Sequence, residues 1–143
     1  MSTKTNKTAM SEDIAIQEFH SFLSKWIKRP PEMDAIKELY PESIDALQSG
    51  NLIINENGVP VYKLIHPIQG ENGLSEITFQ TRLKVMTKAN LLKNVNVEKD
   101  LQRASAILQA HMLGLPTMAD LDLLHQWDYN ACVEIASVFM KGG

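Results

Sequence analysis

Near its middle the chain carries two Asn-Gly dipeptides, Asn57-Gly58 and Asn72-Gly73, each between runs of strand-forming residues. Both residues of such a pair tolerate positive φ, so each dipeptide signals a two-residue hairpin. The first separates Leu52-Ile53-Ile54 from Val59–Ile65, and the second separates Tyr62–Ile68 from Ser75–Leu83. Counting outwards from two-residue loops opposes Ile68 to Ile77, His66 to Phe79 and Tyr62 to Leu83, with Leu64 and Thr81 on the same face. The alternation of Ile77, Phe79 and Leu83 with Thr78, Gln80 and Arg82 agrees with that register. The expectation is a three-stranded antiparallel meander with one apolar face. A sheet that small needs a cover.

Helical periodicity flanks it on both sides. Residues Met1–Met10 bury almost nothing and read as a flexible tail. Ser11 then offers an N-cap hydroxyl ahead of Glu12 and Asp13, and Ile16, Phe19, Leu23 and Trp26 recur at helical spacing until Pro30-Pro31. A short helix is expected from Pro31 to Tyr40, and another from Pro41 to Ser49-Gly50. Beyond the sheet, Thr87 is placed to cap a short helix through Leu92. Val97, Leu101, Ala104, Leu108 and Met112 mark a longer helix ended by Gly114, and Thr117 caps a short one through Leu124. Asp128 reads as the cap of a last helix whose face is Tyr129, Cys132, Val133, Ala136, Phe139 and Met140. Helices, meander, helices is an α+β order: a tail over 1–10, an N-terminal helical extension over 11–50, and an α+β core over 51–143.

Composition closes off several function classes. A chain of 143 residues is one ordinary domain, and 17 acidic against 14 basic residues disfavour a nucleic-acid coat. The single cysteine excludes an internal disulfide framework and a Cys-rich zinc site. No apolar run nears the length of about 18 residues that spans a membrane, and the N-terminus lacks a signal-peptide core. The expected setting is a cytoplasm.

Chemistry-bearing residues are few and scattered. His20, His66, His111 and His125 lie far apart in sequence, and no pair has ligand spacing. Cys132 sits in register with Ala136 and Phe139, where a thiol is a small apolar side chain rather than a nucleophile. Gln69–Gly73 has two glycines but leads into no helix, so it lacks the geometry of a phosphate cradle. Neither catalytic residues, metal nor cofactor is expected.

Two charge runs stand out. From Ile77 to Val97 the charged residues are all basic (Arg82, Lys84, Lys88, Lys93), and from Ala119 to Met140 all acidic (Asp120, Asp122, Asp128, Glu134). They read either as solvated faces attracting each other within the monomer or as surfaces that join copies head to tail. Seven methionines, with Met86, Met112, Met118 and Met140 in the later half, suit a core or an adaptable partner groove.

The order Tyr62-Lys-Leu-Ile-His-Pro-Ile68, Gly73-Leu-Ser-Glu-Ile-Thr-Phe79, Ala106-Ile-Leu-Gln-Ala-His-Met-Leu-Gly114 and Asp120-Leu-Asp-Leu-Leu-His-Gln-Trp-Asp128, closed by a helix carrying Phe139, resembles the phage tail assembly chaperones of the Mu-like, contractile-tailed branch. The resemblance spans residues 60–141. It departs at Val85–Asn90, where family members often have a Pro-Thr pair and an aspartate and this chain keeps only Thr87. It implies a non-enzymatic phage or prophage protein of the bacterial cytoplasm, absent from the mature virion. Such a protein holds the tape-measure protein in solution until tail-tube subunits polymerise around it. It also implies a longer frameshifted form, for which Lys141-Gly-Gly is a natural branch point. A client helix would lie in a groove built from Met86, Leu91, Met112, Met118 and Leu124, and weak self-association would use Arg82, Lys84 and Lys88 against Asp120, Asp122 and Asp128.

Three other readings make different demands. A self-associating adaptor needs Phe19, Phe22 and Trp26 exposed. A nucleic-acid-binding regulator needs Lys84, Lys88 and Lys93 to bind in a salt-sensitive way. An enzyme needs the histidines to converge in a pocket.

Overall fold

A computed structural model describes residues 10–70 and 73–142. The expected tail, save Met10, lies outside the described residues, as does Asn72 of the second turn signal. Met10 packs partly buried against the core.

Helix α1 (Glu12–Trp26) starts where Ser11 accepts from the Ile14 N–H at 3.2 Å. A 3-10 turn (Met33–Ala35) runs into α2 (Ile36–Leu39). Helix α3 (Pro41–Ser49) has proline in its first turn and ends on Gly50, whose φ of 85° lets the chain leave in the left-handed region. Strands β1 (Leu52–Ile54), β2 (Pro60–Ile68) and β3 (Leu74–Thr78) form an antiparallel sheet in that order. Then follow α4 (Val85–Leu91), α5 (Leu101–Met112), a 3-10 helix (Met118–Leu123) and α6 (Gln126–Gly142). The architecture is α+β, with the meander packed against the C-terminal helix α6.

Local capping differs from expectation at three places. Thr87 lies inside α4, which begins after Lys84 without a side-chain cap. Helix α5 starts later than Val97, because Asp100 accepts from the Arg103 N–H at 3.3 Å. Helix α6 starts ahead of Asp128, which turns inward from its first turn. Thr117 does cap, in a reciprocal box with Asp120.

The helices before the sheet share one core with those after it. Phe22 and Trp26 meet Phe139 edge-on at 5.8 and 5.1 Å, and Phe19 lies 5.0 Å from Tyr40. Phe19 and Phe22 are buried, so the aromatic face that an adaptor would need is interior. Along α6 the buried stripe is Ala131, Cys132, Ile135, Ala136, Val138 and Phe139; Tyr129, Val133 and Met140 sit at its margins. Cys132 is fully buried, and burial first, then the Asp128 charge, pushes its thiol pKa up. That suppresses the thiolate a nucleophile requires.

The two hairpins are built differently from the count. In the first, Leu52 pairs with Tyr62 and Ile54 with Pro60, leaving Asn55–Val59 as the connection. Only Gly58 takes positive φ, at 78°; Asn57 does not. The Asn55 side chain accepts from the N–H groups of Asn57 and Val59 at 2.9 and 3.0 Å. In the second, Ile68 pairs with Leu74 and Tyr62 with Ile77, not with Leu83, and the register slips between Lys63 and Ile68. Phe79, Thr81 and Leu83 fall beyond β3, and the Gln80 N–H donates instead to the Met112 carbonyl at 2.8 Å.

Candidate functional site

The slip in β2 is held by one carboxylate. Burial alternates from Pro60 to Leu64 and then fails at Ile65-His66-Pro67, all exposed. Proline has no N–H to give a ladder. The N–H groups of Ile65 and His66 both donate to Asp128, at 2.9 Å each, and the Tyr62 hydroxyl donates to it at 2.7 Å. Asp128 is fully buried, so it is a structural acceptor and not a self-association charge. Burial first, then the bond to Asp128, raises the Tyr62 pKa and keeps its phenol protonated.

A second carboxylate of α6 caps another element. Glu134 accepts from the N–H groups of Glu42 and Ser43 at 3.2 and 3.0 Å and from the Ser43 hydroxyl at 2.9 Å. It thereby supplies from a distance the N-terminal cap that Tyr40 does not give α3. Burial raises its pKa against those hydrogen bonds.

With α6 fixed at both points, grooves open along it, two of them beside its first turns. The first holds about 610 Å³ between two facing helical stripes. Helix α3 contributes Glu42, Asp45, Ala46 and Ser49, and α6 contributes Trp127, Asn130 and Ala131. Each set follows the three- and four-residue steps of a single helix face. Tyr62 floors the trough, and its small neighbours Ala46 and Ala131 leave the space. Trp127 is 61% exposed and Ile65 47%, so large apolar surface stands open beside the Glu42 and Asp45 carboxylates. The second groove, about 540 Å³, runs between α5, the 3-10 helix and α6. Ala106, Leu121 and Leu124 line it with Met118 and Tyr129, and Asp122 stands at its polar side.

The predicted groove residues are thus divided. Met118 and Leu124 come together in the second groove, with Met118 at the surface and Leu124 largely buried. Met112 is fully buried and belongs to the core, because the inner face of α5 packs inward at that turn. Met86 and Leu91 stand apart on α4, which has no buried residue.

The charge runs divide as well. Arg82, Lys84 and Lys88 are exposed. Asp120 is bound up in the cap with Thr117, Asp128 is buried, and Asp122 alone of the three acids is free at the surface. Among the described residues the one ion pair is Lys37–Glu12 at 2.8 Å, so the basic and acidic runs make no contact-range pair within the chain.

His66 and His125, distant in sequence, meet face to face: their rings stack at 3.9 Å and 16°, with the Trp127 ring 5.0 Å from His125. The Trp127 N–H donates to His125 Nδ1 at 3.2 Å. Stacked rings do not point their nitrogens at a common centre. No group of three or more His, Cys, Asp or Glu suited to a metal occurs among the described residues, nor is any described helix long and apolar enough to cross a membrane.

Sequence reasoning missed the Trp127 groove. Its signal was the spacing of Glu42, Asp45, Ala46 and Ser49, whose small residues mark a trough rather than a ridge. The chain matches no protein-family model, no curated protein and no solved structure.

Proposed function

We propose that the chain is a non-enzymatic tail assembly chaperone that binds a long, helix-prone tape-measure protein and holds it in solution. One observation carries the reading: the open groove that joins flexible Met118 to an apolar floor of Leu121 and Leu124. An unbranched thioether adapts to varied apolar anchors, as a binder of many successive client segments requires. The resemblance over residues 60–141 supports it independently. A self-associating adaptor fits less well, since Phe19 and Phe22 are interior.

Co-expression with the tape-measure protein tests it. The client should stay in the soluble fraction with the wild-type chain and pellet with Met118→Glu, whose exposed site leaves the fold intact. A client that pellets equally with and without the wild-type chain defeats the proposal.

A further inference from the structure

We propose that α4 of one copy docks in the Trp127 groove of the next, so that copies associate head to tail. The two surfaces are complementary in both charge and apolarity. The α4 arm has no buried residue: Val85 is 82% and Met86 69% accessible, and the exposed Lys84 and Lys88 flank them. Among the described residues no carboxylate pairs with these lysines, because the one ion pair there is Lys37–Glu12. The groove offers the opposite: exposed Trp127 and Ile65 beside the carboxylates of Glu42 and Asp45. Lys37 lies in electrostatic range of Asp45 but is bonded to Glu12, which leaves Asp45 open to a further cation. An ammonium over the Trp127 face adds a cation–π attraction, and the Val85 and Met86 side chains fit the trough left by Ala46 and Ala131.

The arm and the groove do not belong to neighbouring elements. Helix α4 packs on α5, whereas the groove is made by α3, β2 and α6. Different patches meeting in this way form a heterologous contact, which repeats along a chain of copies rather than closing at two. Rim charges of this kind chiefly set encounter rate and salt sensitivity, so the association is weak and salt-dependent. The acidic partner of the basic run is therefore Glu42 and Asp45 rather than Asp120 and Asp128. The inference does not depend on the chaperone reading, since the client groove lies between α5, the 3-10 helix and α6.

Sedimentation velocity on the purified chain, with no client present, tests it. Weight-average mass should climb from 16.1 kDa past two copies as concentration rises, and fall back in high salt. An arm variant (K84E with K88E) and a groove variant (D45K with W127A) should each stay monomeric while keeping the wild-type circular dichroism and melting temperature. Mixed in equal amounts they should form a two-copy species and stop, because one intact arm meets one intact groove. A wild-type chain that stays monomeric or stops at two copies overturns the proposal. So do variants that associate like the wild type, or a mixture that stays monomeric.

Discussion

The β1–β2 and β2–β3 hairpins share a strand and carry the same turn dipeptide, yet they are held by different means. In the first, Leu52, Ile53 and Ile54 pair in unbroken register, and Asn55 and Gly58 close the turn. Helix α1 then clasps that turn from outside: Trp26 Nε1 donates to the Gly58 carbonyl at 2.8 Å, and the Lys25 ammonium donates to the Asn57 carbonyl. In the second, the ladder breaks, and a carboxylate from a distant helix accepts what β3 does not. A turn stabilised by its own side chains tolerates losing an outside contact. A bulge whose polar groups depend on one buried acceptor does not.

Removing that acceptor should have the largest effect. Asp128→Ala leaves the Tyr62 hydroxyl and two N–H groups without a partner and should cost about 3–5 kcal/mol in urea unfolding. Asp128→Asn, which keeps an acceptor, should cost less; equal costs would mean that the carboxylate is not what holds the bulge.

Asn55→Ala removes two acceptor contacts from the first turn and should cost about 1 kcal/mol, because water replaces them at an exposed loop. If it costs as much as Asp128→Ala, the contrast between the hairpins collapses. Trp26→Phe deletes the indole donor to Gly58 but keeps most of the apolar contact with Phe139, so a loss of about 0.5–1 kcal/mol is expected.

The smallest effect should be a change of slope. Glu134 has a raised pKa because burial disfavours its charge more than its hydrogen bonds favour it. Its folded form therefore holds the proton above the ordinary value of 4.5, and stability falls as pH rises from there through the folded pKa. Glu134→Gln should flatten that decline in urea melts across the range just above pH 4.5. An unchanged slope would place the linkage elsewhere.

Much of the fold was legible because it is encoded locally. Ser11, Pro41 with Gly50, and Thr117 act within a turn of their own position, and each cap forms as its residue type dictates. The failures share a cause too. Tyr62 opposite Leu83 assumed that β2 keeps its period to Ile68, but Pro67 gives no N–H and Asp128 competes for the two before it. Asp128 read as a surface cap because, in sequence, nothing shows a buried phenol and two freed amides nearby. Of the candidate groove, Met118 and Leu124 were found together, whereas Met112 was lost to the core and Trp127 was overlooked. The meeting of His66 with His125 was equally hidden, since chain separation says nothing about rings that a bulge and a helix start bring face to face.

The sequence by itself determined where most helices begin and end to within about a turn, that a meander lies between helical segments, and that charge is segregated along the chain. These follow from hydrophobic period and from hydrogen bonds between near neighbours. Only the tertiary structure decided the register of β3, which acids are buried, and where the open grooves lie. Those depend on which distant polar group satisfies an interrupted ladder, and that is settled when Asp128 and Glu134 bring α6 against β2 and α3.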